Sequence, residues 1–349
     1  ELEREGGGVL VRSVDDEGVA REHEARFFVD ATGRDTFLAG RLRTKRPHRD
    51  LDRAALSTHW LGADMAGGID EGLLQIVYLG GEKKGWIWVI PVARGRISIG
   101  CVLNHGYIRE QKAKLQEQGV EDWQEALYRQ ELLSSPFVAR VIKDARVAMP
   151  LAFNGNYSYY SESKYGDRYA IVGDAAAFID PILASGVYLS IKSAQLVAGA
   201  VGVQLREGAE AGRAAIDAAY AEINGAYKLV DRAIHLFYNP VSINFAQAGG
   251  AANLLHEEHK DALAAGHYLL AGDFFANHKK YLEFIELLQK PKTYERYKKL
   301  VVKNTSYDTA TCGYDAEAVF GAIMDEAEEL AGAERSAGAE RSAGDDPAS

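Results

Sequence analysis

The chain has 349 residues, enough for one large domain or two ordinary ones, and its 47% hydrophobic fraction supports a packed core. A formal net charge of −10 argues against nucleic acid as the main partner. Two cysteines, Cys101 and Cys312, neither with a metal-type neighbour, suit a reducing cytoplasm and exclude a disulfide framework, while the absence of an apolar run of about 18 residues predicts no membrane span.

In chain order, Val9–Val14 predicts a strand, the polar stretch 15–18 a turn, and residues 24–30 a second strand. The opening residues are charged and carry neither an initiator Met nor a signal peptide. The expectation is therefore a fragment that begins inside a β-rich unit. The second strand ends in Asp30-Ala31-Thr32-Gly33-Arg34, where the glycine allows a positive-φ turn or close backbone approach to a ligand. An ordinary strand-to-turn glycine is the alternative.

Four strand-like runs follow at 56–61, 73–79, 86–92 and 96–103, with Gly80-Gly81 and Ala93-Arg94-Gly95 as turns between the later ones. Their spacing predicts an antiparallel meander. In the third run, Trp86, Trp88 and Ile90 share one face, and the tryptophan pair makes a wide apolar wall. Core packing is the alternative role for that pair. Helices are expected at 107–118 and Trp123–Leu133, with Ser135-Pro136 as a stop.

An apolar run, residues 169–172, then leads into Gly173-Asp174-Ala175-Ala176-Ala177-Phe178-Ile179-Asp180-Pro181-Ile182-Leu183-Ala184-Ser185-Gly186 and an apolar-periodic stretch at 187–203. The order strand, tight turn, loop, helix directs backbone N–H groups at a helix N-terminus toward an anion or an electron-rich ring. Asp174 sits where a carboxylate can accept hydrogen bonds from ribose or ribityl hydroxyls. Beyond 187 the chain reads as largely helical to about Leu330, followed by a tail that repeats Ala-Gly-Ala-Glu-Arg-Ser and is read as disordered.

Asp30-Ala31-Thr32-Gly33, then Trp86-x-Trp88-x-Ile90-Pro91, then Gly173-Asp174 through Asp180-Pro181-x-x-x-Ser185-Gly186 resemble flavin-dependent halogenases in order and separation. The likeness covers about residues 9 to 203 well and the remainder loosely. The Gly-Asp motif alone is shared with para-hydroxybenzoate-hydroxylase-like monooxygenases and geranylgeranyl reductases; the tryptophan pair is the more specific part. The resemblance implies FAD, reduced by a separate flavin reductase, and chloride or bromide. It implies a flavin hydroperoxide that oxidises halide to hypohalous acid, which then attacks an electron-rich aromatic substrate. By the same resemblance, Asp30, Gly33, Gly173, Asp174, Pro181, Gly186 and Val187 bind the cofactor. Ser185 and Gly186 border the halide, and Trp86 and Trp88 act in catalysis by shielding the flavin region.

Two departures qualify the likeness. The family's GxGxxG fingerprint is absent, since Gly6-Gly7-Gly8 precedes a strand rather than following one, and the family's catalytic lysine falls in that same front part. This chain alone is therefore expected not to hold FAD in the family's manner. Tryptophan halogenases also carry a glutamate where Leu183 stands, which turns the substrate expectation toward phenol- or pyrrole-type compounds, free or tethered to a carrier protein. The basic run of Lys279, Lys280, Lys290, Lys292, Arg296, Lys298, Lys299 and Lys303 is a candidate dock for an acidic carrier, or else a solvated helix face. His256 and His259 lack a third metal ligand, and Ser185 is not in a nucleophile elbow.

The expected architecture is α+β, a partial α/β flavin-binding fold. A mixed FAD-domain sheet is expected from 1–50 and 151–205, an antiparallel substrate-region sheet at 51–150, a helical region at 206–330 and a tail at 331–349. The rival readings are a flavin monooxygenase, a geranylgeranyl-reductase-like oxidoreductase, and a non-catalytic remnant.

Overall fold

The computed structural model describes residues 8–63, 74–93, 95–238 and 274–288. Contacts divide the chain into two compact units, Val29–Asp180 and Glu1–Phe28 with Pro181–Ser349.

In the first unit the dominant element is a six-stranded antiparallel sheet. Its strands are β5 (Arg53–Leu61), β6 (Gln75–Leu79), β7 (Gly85–Ala93), β8 (Arg96–Asn104), β9 (Arg146–Val147) and β10 (Ala152–Gly155), ordered β10-β5-β8-β7-β6 with β9 also on β5. Of the four runs expected as a meander, β6, β7 and β8 pair in sequence order, whereas the first, β5, pairs with the last, β8, and not with β6. β5 runs beside β8 in unbroken register from Arg53↔Asn104 to Leu61↔Arg96. One face packs on three helices: α2 (His105–Glu117), α3 (Trp123–Leu133) and α4 (Pro136–Ile142). Leu56, Ile87, Val89, Ile99 and Leu103 meet Leu127, Leu132 and Val141 there, all fully buried. Buried polar groups in this layer are paired: Trp60 Nε1 donates to Tyr128 Oη at 3.0 Å, and Tyr128 Oη donates to the Ile99 carbonyl at 3.0 Å. Buried Glu131 accepts from Tyr107 Oη at 2.7 Å and pairs with Lys83 at 2.6 Å, so its charge is compensated.

Ser135-Pro136 starts a helix as well as ending one. Ser135 accepts from Val138 N as the N-cap of α4 and Pro136 takes the first turn, where its missing N–H costs nothing. The predicted second strand is also two pieces, β2 (Ala20–Ala25) and β3 (Phe28–Asp30). The remaining strands form two small sheets. One is β14-β11-β4, from Ala177–Phe178, Tyr159–Ser161 and Lys45–Pro47; the other is β12-β13-β3, from Tyr165–Gly166, Tyr169–Ile171 and Phe28–Asp30. A short helix, α1 (Phe37–Arg41), follows β3.

In the second unit, β1 (Val9–Val14) pairs with β2 as an antiparallel hairpin. Two long helices, α5 (Gly186–Glu207) and α6 (Ala209–Tyr238), pack on each other, and α7 (Phe274–Leu288) packs on α6. Tyr188 meets the Phe275 ring edge-on at 5.5 Å. Contrary to the sequence expectation, α5 is long and apolar enough by length and composition to cross a membrane. Here its buried residues Leu189, Val197 and Ala200 lie on a helix packed against α6. Lys279 and Lys280 lie on α7; the rest of the basic run, His256, His259, Cys312 and the tail lie outside the described residues.

Candidate functional site

Two glycine turns far apart in sequence meet in the Val29–Asp180 unit. β3 delivers Asp30, which is fully buried. One carboxylate oxygen accepts from Thr32 N at 3.0 Å and Thr32 Oγ1 at 2.7 Å, and the other accepts from Leu38 N at 2.7 Å. Asp30 thus shapes the turn from beneath. Gly33 sits at φ +63 with open space where a Cβ would be, opening the short 3-10 turn Gly33–Asp35. That turn packs against the 3-10 turn Gly173–Ala175, which β13 delivers, with Gly173 at φ +56. Val172 N donates to the Asp30 carbonyl at 2.9 Å, tying the two strand ends together.

Asp174 is half-buried, and its carbonyl accepts from Tyr159 Oη at 2.8 Å. Burial, and then the Asp174 charge, push the Tyr159 phenol up to about 12, so it stays a donor. The Tyr159 ring stacks on Phe178 at 6.5 Å. Lys45 Nζ lies 3.9 Å from the Tyr159 ring centroid and donates to Thr36 Oγ1 at 3.1 Å, while the Arg34 guanidinium lies 5.7 Å from the Phe178 centroid. Burial and the nearby Arg34 charge lower the Lys45 pKa. The site therefore offers backbone turns of low steric demand, a carboxylate able to accept from hydroxyls, and two cations suited to an anion. These are features that a dinucleotide with ribityl hydroxyls and a diphosphate would use, so the residues present fit FAD. Tyr159 and Lys45 were not singled out from sequence. The cation run around Lys45 was a usable signal; the Tyr159 contact has none, because strand pairing of β11 with β14 creates it.

At the end of the same unit, Tyr157 Oη donates to buried Asp180 Oδ2 at 3.2 Å, and Ser158 Oγ donates to the Ile179 carbonyl. In the other unit, Pro181–Leu183 forms a 3-10 turn closed by Ala184 N on the Pro181 carbonyl at 2.9 Å. Ala184 has φ +51, a left-handed conformation rare for a residue with a Cβ. Ser185 caps α5 without a side-chain capping bond, and Gly186 opens the helix with no heavy atom within 4 Å of a built Cβ. The first-turn amides of a helix lack intrahelical acceptors, which suits an anion. Val187 is 73% exposed.

The tryptophan pair lies on the sheet face opposite α2–α4, as alternation required. Its ring centroids are 5.5 Å apart and tilted by 48°. Trp86 is 3% exposed. Trp88 Nε1 donates to Ser98 Oγ at 3.1 Å, and its ring lies over Gly100, where a Cβ would come within 2.0 Å of it. Neither side chain supplies an acid or a base, and the pair presents an apolar aromatic surface. Among the described residues, no three His, Cys, Asp or Glu side chains gather to hold a metal.

No family model matches the sequence. Among curated proteins, the chain is 34% identical over 177 residues to a tryptophan 2-halogenase from Chondromyces crocatus, covering 50% of this chain and 32% of that protein. It is 30% identical over 183 residues to a flavin-dependent halogenase from Acremonium egyptiacum, covering 52% and 32%. These matches span about a third of each relative's length. Among solved structures, a triple mutant of the flavin-dependent brominase Bmp2 matches with a TM-score of 0.60 at 20% identity, over 83% of this chain and 70% of that one. The myxobacterial chondrochloren halogenase CndH matches with a TM-score of 0.59 at 24% identity, over 78% and 60%. In sequence over half its length, and in its mixed α/β fold over most of it, the chain is similar to the flavin-dependent halogenases, which are FAD-dependent enzymes.

Proposed function

We propose that the chain forms the flavin- and substrate-facing part of a flavin-dependent halogenase of secondary metabolism, acting on an electron-rich aromatic compound. The observation that carries this reading is the packing of the Gly33 turn on the Gly173 turn beside Asp174. On this reading the two turns let the cofactor approach the backbone. Asp174 accepts hydrogen bonds from ribityl hydroxyls, and Arg34 and Lys45 face the diphosphate. Pro181, Gly186 and Val187 border the ring system, and the Ser185–Gly186 amides attract halide. Trp86 and Trp88 exclude water. Bound there, FAD reduced by a partner flavin reductase would, with dioxygen as the oxidant, supply the oxidation of chloride or bromide to hypohalous acid. At the substrate, a ring C–H bond is replaced by C–halogen and water is released.

Leu183 favours a phenol- or pyrrole-type substrate, free or carried on an acidic carrier protein that the basic run at 279–303 would steer electrostatically. A second reading, an indole substrate, is favoured by the similarity to a tryptophan 2-halogenase. The working compartment on this reading is the cytoplasm.

The test is to express the chain within its surrounding coding sequence and supply a flavin reductase, bromide, and phenol, pyrrole or tryptophan. Mass spectrometry is expected to show a brominated product that requires halide. An oxygenated product formed without halide would put the monooxygenase reading in its place. A reduced product would favour the reductase, and no flavin-dependent turnover would leave the non-catalytic remnant.

A further inference from the structure

Nothing in the hydrophobic pattern of β7 says which of its faces belongs inside. Trp86, Ile87, Trp88, Val89 and Ile90 are all apolar, so alternation decides which residues share a face and leaves both faces fit for the core. The ladder between β7 and β8 is also able to shift, since its register slips between Pro91 and Ala93 at the far end. At the near end the register is regular, with Ile87 opposite Cys101 and Trp88 opposite Gly100. A slip of one residue there would turn both tryptophans toward α2–α4.

The near end is also where charge is buried. The 3-10 turn Gly81–Lys83 brings Lys83 to Glu131 on α3, whose side chain is wholly shut off from water while that of Lys83 is 27% exposed. Tyr107 of α2 donates to one Glu131 oxygen at 2.7 Å. Lys83 Nζ lies 2.6 Å from the other, as an ion pair without hydrogen-bond alignment. One residue on, the Lys84 carbonyl accepts from Nε of buried Arg53 on β5 at 3.2 Å. The turn that launches β7 is thus held from α3 and β5, and α2 holds the carboxylate.

A buried ion pair adds little stability over apolar groups of the same shape, and its characteristic contribution is to select one register. A slip of β7 in one direction would set Glu82 against Glu131, carboxylate to carboxylate. A slip in either direction would bring a side chain, Lys84 or Trp86, to the place of Gly85, where a Cβ would run into the Val102 carbonyl. Charge and sterics therefore favour the same register.

We propose that Lys83 and Glu131 are positioning residues that lock the register of β7 and so hold Trp86 and Trp88 on the sheet face away from the helices. The inference rests on the reading above in which that pair excludes water, and it adds the residues that act through the pair.

The test uses the chain expressed within its surrounding coding sequence. The Trp86 and Trp88 indole N–H signals are followed by NMR, each identified by its loss in Trp86→Phe or Trp88→Phe. The unchanged protein should give a single signal for each, with a cross-strand NOE between the Trp88 ring and Gly100. The triple variant Lys83→Met, Glu131→Leu, Tyr107→Phe removes the network without leaving a buried charge alone. It should keep its urea midpoint and give more than one signal for each tryptophan. Its Trp88–Gly100 NOE should fall by about half, as for two registers of similar energy. Lys83→Arg, which keeps the cation, should keep single signals. A merely structural pair would instead lower the midpoint and leave the signals single. Single signals with a full NOE in the triple variant, or multiple signals in Lys83→Arg, would overturn the proposal. Should the triple variant not fold, Glu131→Gln, which keeps the shape and the Tyr107 bond but removes the charge, decides by the same signals. The two readings fail separately. Multiple signals in the triple variant of a protein that forms no halogenated product would keep the lock and remove the halogenase. Halide-dependent product with single signals in that variant would do the reverse.

Discussion

Gly173 holds its turn at φ +56, where a Cβ would crowd the following carbonyl at a cost of about 1–2 kcal/mol. Gly173→Ala should therefore lower stability by about that amount in urea unfolding. In the chain expressed within its surrounding coding sequence, it should also weaken FAD binding in a fluorescence titration, because the turn that meets Gly33 is displaced. Unchanged stability and flavin affinity would remove the turn from the site. At this scale the sequence was informative about residue type and less so about direction. A glycine after an apolar strand announces a turn, and both Gly33 and Gly173 adopt positive φ. An aspartate beside such a glycine reads equally well as a ligand contact or as a cap. Asp30 lies inward, bonded to Thr32 and Leu38, while Asp174 stays half-buried. Only the neighbouring elements separate the two.

Among the elements, β7 and β8 show how a pattern becomes a surface. Period-two alternation alone put Trp86 and Trp88 on one face, and the register bears that out. It gave no hint that Gly100, opposite Trp88 on β8, leaves room for the indole to lie flat across the strand. Gly100→Ala would place a methyl 2.0 Å from that ring. The substitution should cost about 1–3 kcal/mol as overpacking and break the Trp88–Ser98 hydrogen bond, shifting the Trp88 indole signal in NMR. An unmoved signal would mean the ring has another resting place. The start of α4 was hidden for the opposite reason. Ser-Pro ends one helix and caps the next with the same two residues, so a stop signal alone cannot reveal the helix beyond it.

For the whole molecule, buried phenols and a buried thiol set the response to alkali. Tyr159 is pushed up to about 12 from an ordinary 10.0, by burial first and Asp174 second. Tyr128 is raised chiefly by burial, Tyr107 by burial and then its bond to Glu131, and Cys101 rises from 9.0 by burial. Because each folded pKa lies above its unfolded value, the unfolded chain ionises first as pH rises. Their contribution is fully present below about pH 9 and is lost as pH climbs through about 10 to 12. Urea midpoints should be level near neutrality and fall steadily above about pH 9, with a shallower fall in Tyr159→Phe. A flat profile to pH 11 would contradict the burial of these groups. What the sequence determined by itself was local and periodic: the strands of the meander, the helices, the left-handed glycines, and the face shared by the two tryptophans. These arise from side-chain alternation and from backbone sterics, which act within a few residues. Tertiary structure alone decided the meeting of the Gly33 and Gly173 turns and the stacking of Tyr159, Phe178, Lys45 and Arg34. Each depends on which strands pair across long stretches of chain, and no local pattern encodes that choice.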